Sequence, residues 1–151
     1  MLGRYAAMLI ASTMIVFFPI KYEAVKEAQR SENAAREAVD TALSRIRAEN
    51  AITMDCLESL MSGLFCSGNL YDVEIMLGTI LYGKEEKVLD IRYTEDIMSE
   101  IGSGQVIDVR GKIVTIKARL KNTGISTRLA NMLWDSFIPS EEMTSGGYIY
   151  G

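Results

Sequence analysis

Residues 5–20 read YAAMLIASTMIVFFPI, sixteen consecutive positions without a charge. A helix that crosses the ~30 Å hydrocarbon layer needs ~20 mostly apolar residues, with ~17 as the lower limit. Leu2 and Gly3 bring the stretch to that length once Arg4 extends its head to the lipid headgroups. Tyr5 and Tyr22 fall where amphipathic rings line the two interfaces. Residues 1–22 are therefore read as a transmembrane anchor, with Tyr5, Leu9, Ile10, Ile15, Val16, Phe17, Phe18 and Pro19 as its characteristic residues.

Two other readings compete. A cleaved signal peptide wants a richer basic start and a small-x-small cleavage site. Here Lys21-Tyr22-Glu23 follows the apolar run, and a cut after Ala24 would put Tyr22 three positions before it. A buried core helix is the other, opposed by terminal position and all-round apolarity. Arg4 on one side faces Lys21 and Lys26 on the other, so loop charge says little about orientation. The short polar N-terminus favours an inside start and an extracytoplasmic remainder.

Residues 21–50 contain neither Pro nor Gly and are rich in Ala, Glu, Arg and Lys, all good helix formers. Val25, Ala28, Ala35, Val39, Ala42 and Ile46 follow a 3–4 spacing and mark one narrow apolar stripe on a helical arm, residues 23–50. The stripe is read either as the side of the arm that lies on its own domain or as an interface with other copies. Glu32 interrupts the seam and stands four before Arg36, a favourable helix pair. Pro19, where anchor meets arm, lacks an N–H and crowds the carbonyl of Ile15, so a kink is expected there.

Residues 51–151 read as one small α+β domain. Thr53 is an N-cap for a helix carrying Leu57, Leu60, Met61, Leu64 and Phe65, stopped by Ser67-Gly68-Asn69. Tyr71, Val73 and Ile75 alternate with Asp72 and Glu74, the period-2 pattern of a half-buried strand running toward Leu81, with Gly78 and Gly83 marking a bulge or turn. Thr94 is placed as the cap of a short helix ending at Gly102. Residues 106–109 and 112–120 read as a hairpin about Arg110-Gly111, followed by a turn at 121–124. A helix using Leu129, Met132, Leu133 and Phe137 stops before Pro139, and residues 146–150 form a last strand. The expected fold is thus α+β: a long N-terminal helix, a second helix, and a small antiparallel sheet with short helices between its strands.

Composition narrows the chemistry. The net charge of −4 and the lack of any basic stretch give no electrostatic footprint for nucleic acid. The chain has no histidine, which removes the commonest general base and zinc ligand. There is no phosphate-binding glycine loop or nucleophile elbow, and Glu85-Glu86, Asp90 and Glu95-Asp96 lack the spacing of a calcium loop. Trp134 with Phe137 is read as core packing, with an exposed partner patch as the alternative, and most of the nine methionines as core filling. Cys56 and Cys66 on one unbroken helix would lie ~15 Å apart along its axis, too far for an intrachain bridge, and read as two small buried side chains, with an intermolecular bridge as the alternative. No enzymatic activity, cofactor, metal or small-molecule substrate is expected.

Four stretches carry a family resemblance: the hydrophobic helix running into a charged arm, residues 45–53 (RIRAENAIT), residues 67–75 (SGNLYDVEI), and the strand, helix and Gly-Gly-Tyr-Ile pattern of residues 112–151. Together they resemble the TadE-like minor pseudopilins of Gram-positive tight-adherence pilus clusters, whose T-G-N-x-Y-D-V-E element stands here as Ser67 to Glu74. The resemblance implies a pilin-like layout and a role in building or priming a surface filament, with the bilayer and other pilus subunits as partners. This chain departs from type IV pilins in having no glutamate early in the apolar segment, which fits a minor, membrane-retained component. The alternative is an anchored binding or adhesion module that enters no filament.

Overall fold

The computed structural model describes residues 2–82, 87–122, 128 and 142–150. Its first element, α1 (Leu2–Glu49), is one helix of 48 residues, ~70 Å long at ~1.5 Å per residue. The helix runs on unbroken through Pro19. Asn50, at φ 54°, takes the left-handed conformation that ends a helix, and β1 (Ala51–Ile52) follows. Thr53 then caps α2 (Met54–Cys66), its hydroxyl accepting from the Cys56 N–H at 3.3 Å. The chain has reversed, and α2 runs back along α1.

The remaining elements are β2 (Leu70–Tyr82), β3 (Lys87–Arg92), α3 (Thr94–Gly102), β4 (Ile107–Asp108), β5 (Lys112–Asn122) and β6 (Glu142–Tyr148). Four strands make an antiparallel sheet in the order β3-β2-β5-β6, and β1 pairs with β4 separately. Along β2 and β5 the alternation read from sequence sorts the two faces. Ile75, Leu77, Val114, Ile116 and Ala118 turn inward and are buried against Val39, Leu43 and Ile46 of α1, Leu60 and Leu64 of α2, and Ile97 and Ile101 of α3. Asp72 and Glu74 of β2 and Lys117 and Arg119 of β5 stand on the opposite face, in register with one another. Among the described residues the architecture is α+β, a long N-terminal helix and two further helices on a small antiparallel sheet.

Several local expectations change. Residues 106–109 and 112–120 do not form a hairpin: β4 turns away to pair with β1, and β5 lies between β2 and β6. Asn50 draws it there, its carbonyl accepting from the Val109 N–H at 3.0 Å. The hairpin is instead β2–β3, where no second strand was expected. Gly78 is not a bulge, since it keeps register with Ile91 and Ile113; the irregularity lies at Leu70/Tyr71. Thr94 does not cap α3, whose N-cap is Tyr93 without a side-chain bond. The last strand is displaced toward Glu142, although Ile149 still donates to the Lys112 carbonyl at 2.9 Å. The expected helix at 129–137, with Trp134 and Phe137, and Glu85-Glu86 lie outside the described residues.

Cys56 is buried on α2, but Cys66 is exposed, and both are free thiols. Nor do most methionines fill the core: Met8, Met14, Met54, Met61 and Met98 are exposed, while Met143 is buried. On α2 the core takes the narrow arc of Cys56, Leu57, Leu60 and Leu64, which leaves Met54 and Met61 on its flanks.

Candidate membrane anchor and the domain it carries

The first half of α1 touches little of the rest of the described chain. Every residue from Gly3 to Ile20 is exposed, including Leu9 at 69% and Ile15 at 73%. Tyr5, Ile10, Val16, Phe17 and Phe18 are exposed as well, and Pro19 lies within the same helical run. Burying a large apolar side chain is worth ~1.5–3 kcal/mol, so leaving this many in water forfeits on the order of 10 kcal/mol. That rivals the whole stability of a small domain, roughly 5–15 kcal/mol. Such a surface needs an apolar environment outside the chain.

The few polar groups of the segment are dealt with internally. Ser12 Oγ and Thr13 Oγ1 both donate to the Leu9 carbonyl, at 3.0 and 2.6 Å. Back-bonded hydroxyls of this kind leave no donor unsatisfied in a medium without water. At the far end Lys26 pairs with Glu23 at 4.0 Å and lies 5.7 Å from the centre of the Tyr22 ring, so charge resumes within two turns of Ile20. The stretch is long and apolar enough to cross a bilayer, a property that signal sequences share.

Below this segment the stripe predicted for the arm is occupied. Ala28, Ala35, Val39, Ala42 and Ile46 are buried and Val25 is half-buried. Ala35, Val39, Ala42 and Ile46 belong to the chain's own core, so as a surface for other copies they are corrected: α2 and the sheet already cover them. The approach of α2 is close. A Cβ added at Gly63 would lie 2.7 Å from the Ala38 Cβ, so only glycine fits where the two helices cross. At β6 a Cβ on Gly146 would come within 3.0 Å of the Val114 carbonyl.

A polar clasp ties the arm to the turn after α2. Ser31 Oγ donates to the Ser67 carbonyl, and Asn69 Nδ2 donates to Ser31 Oγ at 2.8 Å and to Tyr71 Oη at 3.4 Å. Ser67 and Asn69 are both buried, which makes these bonds the satisfaction of groups cut off from water. The Ser67-Gly68-Asn69 element singled out in the sequence thus orients the domain on its helix. Gly68, at φ 79°, supplies the left-handed turn between the two polar side chains.

Of the Gly63 crossing and the Ser31 clasp, the crossing carries a signal in the sequence. A glycine inside an amphipathic helix costs ~1 kcal/mol relative to alanine, which points to a close packing contact at Gly63. The clasp had no such signal, because Ser31 is a common helix-surface residue until its partner 36 positions away is known.

On the outer face of the sheet Glu142 joins Arg119 at 3.4 Å and Lys117 at 3.8 Å, and the Arg119 hydrogen bond holds its carboxyl below the usual carboxylate range. At the end of the domain remote from the anchor, Asp108 receives a bidentate pair from Arg110, which lowers its pKa to about 2. Burial pushes the Cys56 thiol up, away from the reactive thiolate form. Among the described residues no three Asp, Glu, Cys or His side chains converge to hold a metal ion. The chain matches no family model, no curated protein and no solved structure.

Proposed function

We propose that the chain is a non-enzymatic, membrane-anchored, pseudopilin-like component of a bacterial surface pilus or a related assembly apparatus. Residues 1–22 would sit in the plasma membrane as a single pass and hold the α+β domain on the extracytoplasmic side. One observation carries the reading: a single helix is bare and apolar all round through Ile20, and from Ala28 onward is buried along one stripe in the domain's own core. A protruding helix whose second half is fixed to a small sheet is the layout that the resemblance to TadE-like pseudopilins implies. The clasp and the Gly63 crossing make that junction stiff, so the anchor and the domain would move as one piece.

A second reading, an anchored binding module outside any filament, draws on a different observation. The alanine-rich face that could have packed against neighbouring subunits is filled from within. Photocrosslinking in intact cells separates the two. With the crosslinker at Leu9, Ile15 or the exposed Arg36, a pilus component is expected to capture other pilin-type subunits. Capture of lipid alone from the anchor, with nothing recovered through Arg36, would favour the second reading.

A further inference from the structure

The central strand β2 is longer than the partner on one of its sides. β5 accompanies it from Leu70 to Thr79, but β3 pairs only with Leu77–Tyr82 before the chain leaves for α3. The next rung is filled by a side chain. Thr94 Oγ1 accepts from the Ile75 N–H at 2.7 Å and donates to the Ile75 carbonyl at 3.3 Å, standing in for a strand residue.

Ile75 therefore turns its backbone groups away from β5. Alternation along an antiparallel strand sends those of Val73 and Tyr71 the same way, while Asp72 and Glu74 bond to β5. Among the described residues no hydrogen bond reaches the backbone of Val73 or Tyr71 on that side. Among the described residues two rungs, with two N–H and two C=O groups, lack a strand partner, the Val73 rung half-exposed and the Tyr71 rung buried. Exposed edges are usually blunted by lysine or proline; β2 carries neither between Leu70 and Tyr82.

The open edge has a different surface on each side. Inward, between α2, α3 and β2, lies an apolar groove of about 180 Å³ with Leu57, Leu60 and Ile75 at its floor and the exposed Met61 and Met98 at its rim. Methionine rims adapt to apolar side chains of varied shape. Outward is a cleft of about 490 Å³ whose charged lining is Asp72, Glu74, Glu95 and Glu142 with Lys117 and Arg119, an acidic excess of two. Among the described residues no ion pair joins Asp72, Glu74 or Glu95, whereas Lys117 and Arg119 are already held by Glu142.

The geometry points to strand addition: an extended segment of a partner protein, with apolar residues alternating with Lys or Arg, docks beside Tyr71–Glu74 and completes the row that β3 leaves unfinished. Its backbone takes the open groups of Tyr71 and Val73. Successive side chains fall alternately into the methionine-rimmed groove and over the unpaired carboxylates, as the period of two requires. This site does not depend on what surrounds the anchor.

The test uses the full chain in phosphatidylcholine nanodiscs and a blocked pentapeptide alternating lysine and valine. Amide exchange at Tyr71 and Val73 is expected to slow when the peptide is added. The same peptide with its strand-pairing amides N-methylated, or with glutamate in place of lysine, is expected to leave both amides unchanged. Val73→Pro removes the outward N–H without touching a bond to β5, and should weaken peptide binding about tenfold or more, equivalent to ~1.4 kcal/mol. Should that variant unfold, Asp72→Lys with Glu74→Lys serves instead, and is expected to reverse the preference to the glutamate peptide. The proposal is overturned if the lysine peptide leaves both amides unprotected, or if N-methylation does not matter. It is overturned equally if protection grows with protein concentration alone, which would make the occupant a second copy of this chain.

Discussion

The two halves of α1 are one uninterrupted helix, yet they are built for different surroundings. Toward its start, apolar side chains point in all directions and stay uncovered; from Ala28 to Ile46 they keep to one stripe and are buried. Helix propensity does not account for the difference, since the bare half, with its β-branched and aromatic residues, Gly3 and Pro19, is the poorer helix former and is helical all the same. The width of the apolar arc accounts for it. A full circle demands an apolar medium on every side, while a narrow stripe is satisfied by one packed neighbour. Substitutions in the two halves should therefore have opposite consequences.

The largest effect is expected in the packed half. Ile46→Ala, at a site with no exposure, should lower domain stability by about 2–5 kcal/mol in a denaturant melt and leave membrane retention unchanged. In the bare half Ile10→Asp should do the reverse. A carboxylate near the middle of a spanning helix costs about 2.5–3.5 kcal/mol of insertion, read as a shift out of the membrane fraction, with the domain's melt unaltered. If both variants lowered the melt alike, the halves would not be distinct.

The seam between them can be sharpened at finer scale. Gly63→Ala brings a methyl within 2.7 Å of the Ala38 Cβ. Overpacking should outweigh the gain in helix propensity and leave a net loss of about 1–2 kcal/mol, which Ala38→Gly in the same chain should largely recover. Asn69→Ala opens the clasp on Ser31 and should cost about 1 kcal/mol, with faster amide exchange around Ser67 as its local signature.

The smallest effect concerns pH, at the end of the domain remote from the anchor. The Asp108 carboxyl titrates at about 2 in the folded chain against an ordinary value of 3.8, because Arg110 binds it. Its folded pKa is lowered, so the pair's contribution is complete above about pH 4 and is lost as the pH falls through about 2. An NMR titration of Asp108 should show that low midpoint, and Arg110→Ala should return it toward the ordinary range.

What the sequence disclosed, and what it hid, follows the range of the interactions. The apolar run, the arm's stripe, the Thr53 cap and the alternation in β2 and β5 are set by neighbours within a few residues and could be read directly. Strand partners could not. Residues 106–109 look like half of a hairpin until Asn50, far back in the chain, takes the Val109 N–H. Thr94 looks like a cap until β2 offers an unfilled rung. Met61 and Cys66 look like core because they are apolar and helical, and only the position of α1 against α2 shows which arc is covered. The long apolar run needed no partner to be read as such; the arm's stripe was legible as a packed face, but not as to what packs on it.

Intact mass spectrometry of the mature polypeptide, taken from membranes washed at alkaline pH, tests the central claim most directly. The account predicts a chain recovered in the washed membranes with residues 5–20 still attached. A chain found in the soluble fraction, or one beginning after Ile20, would contradict it.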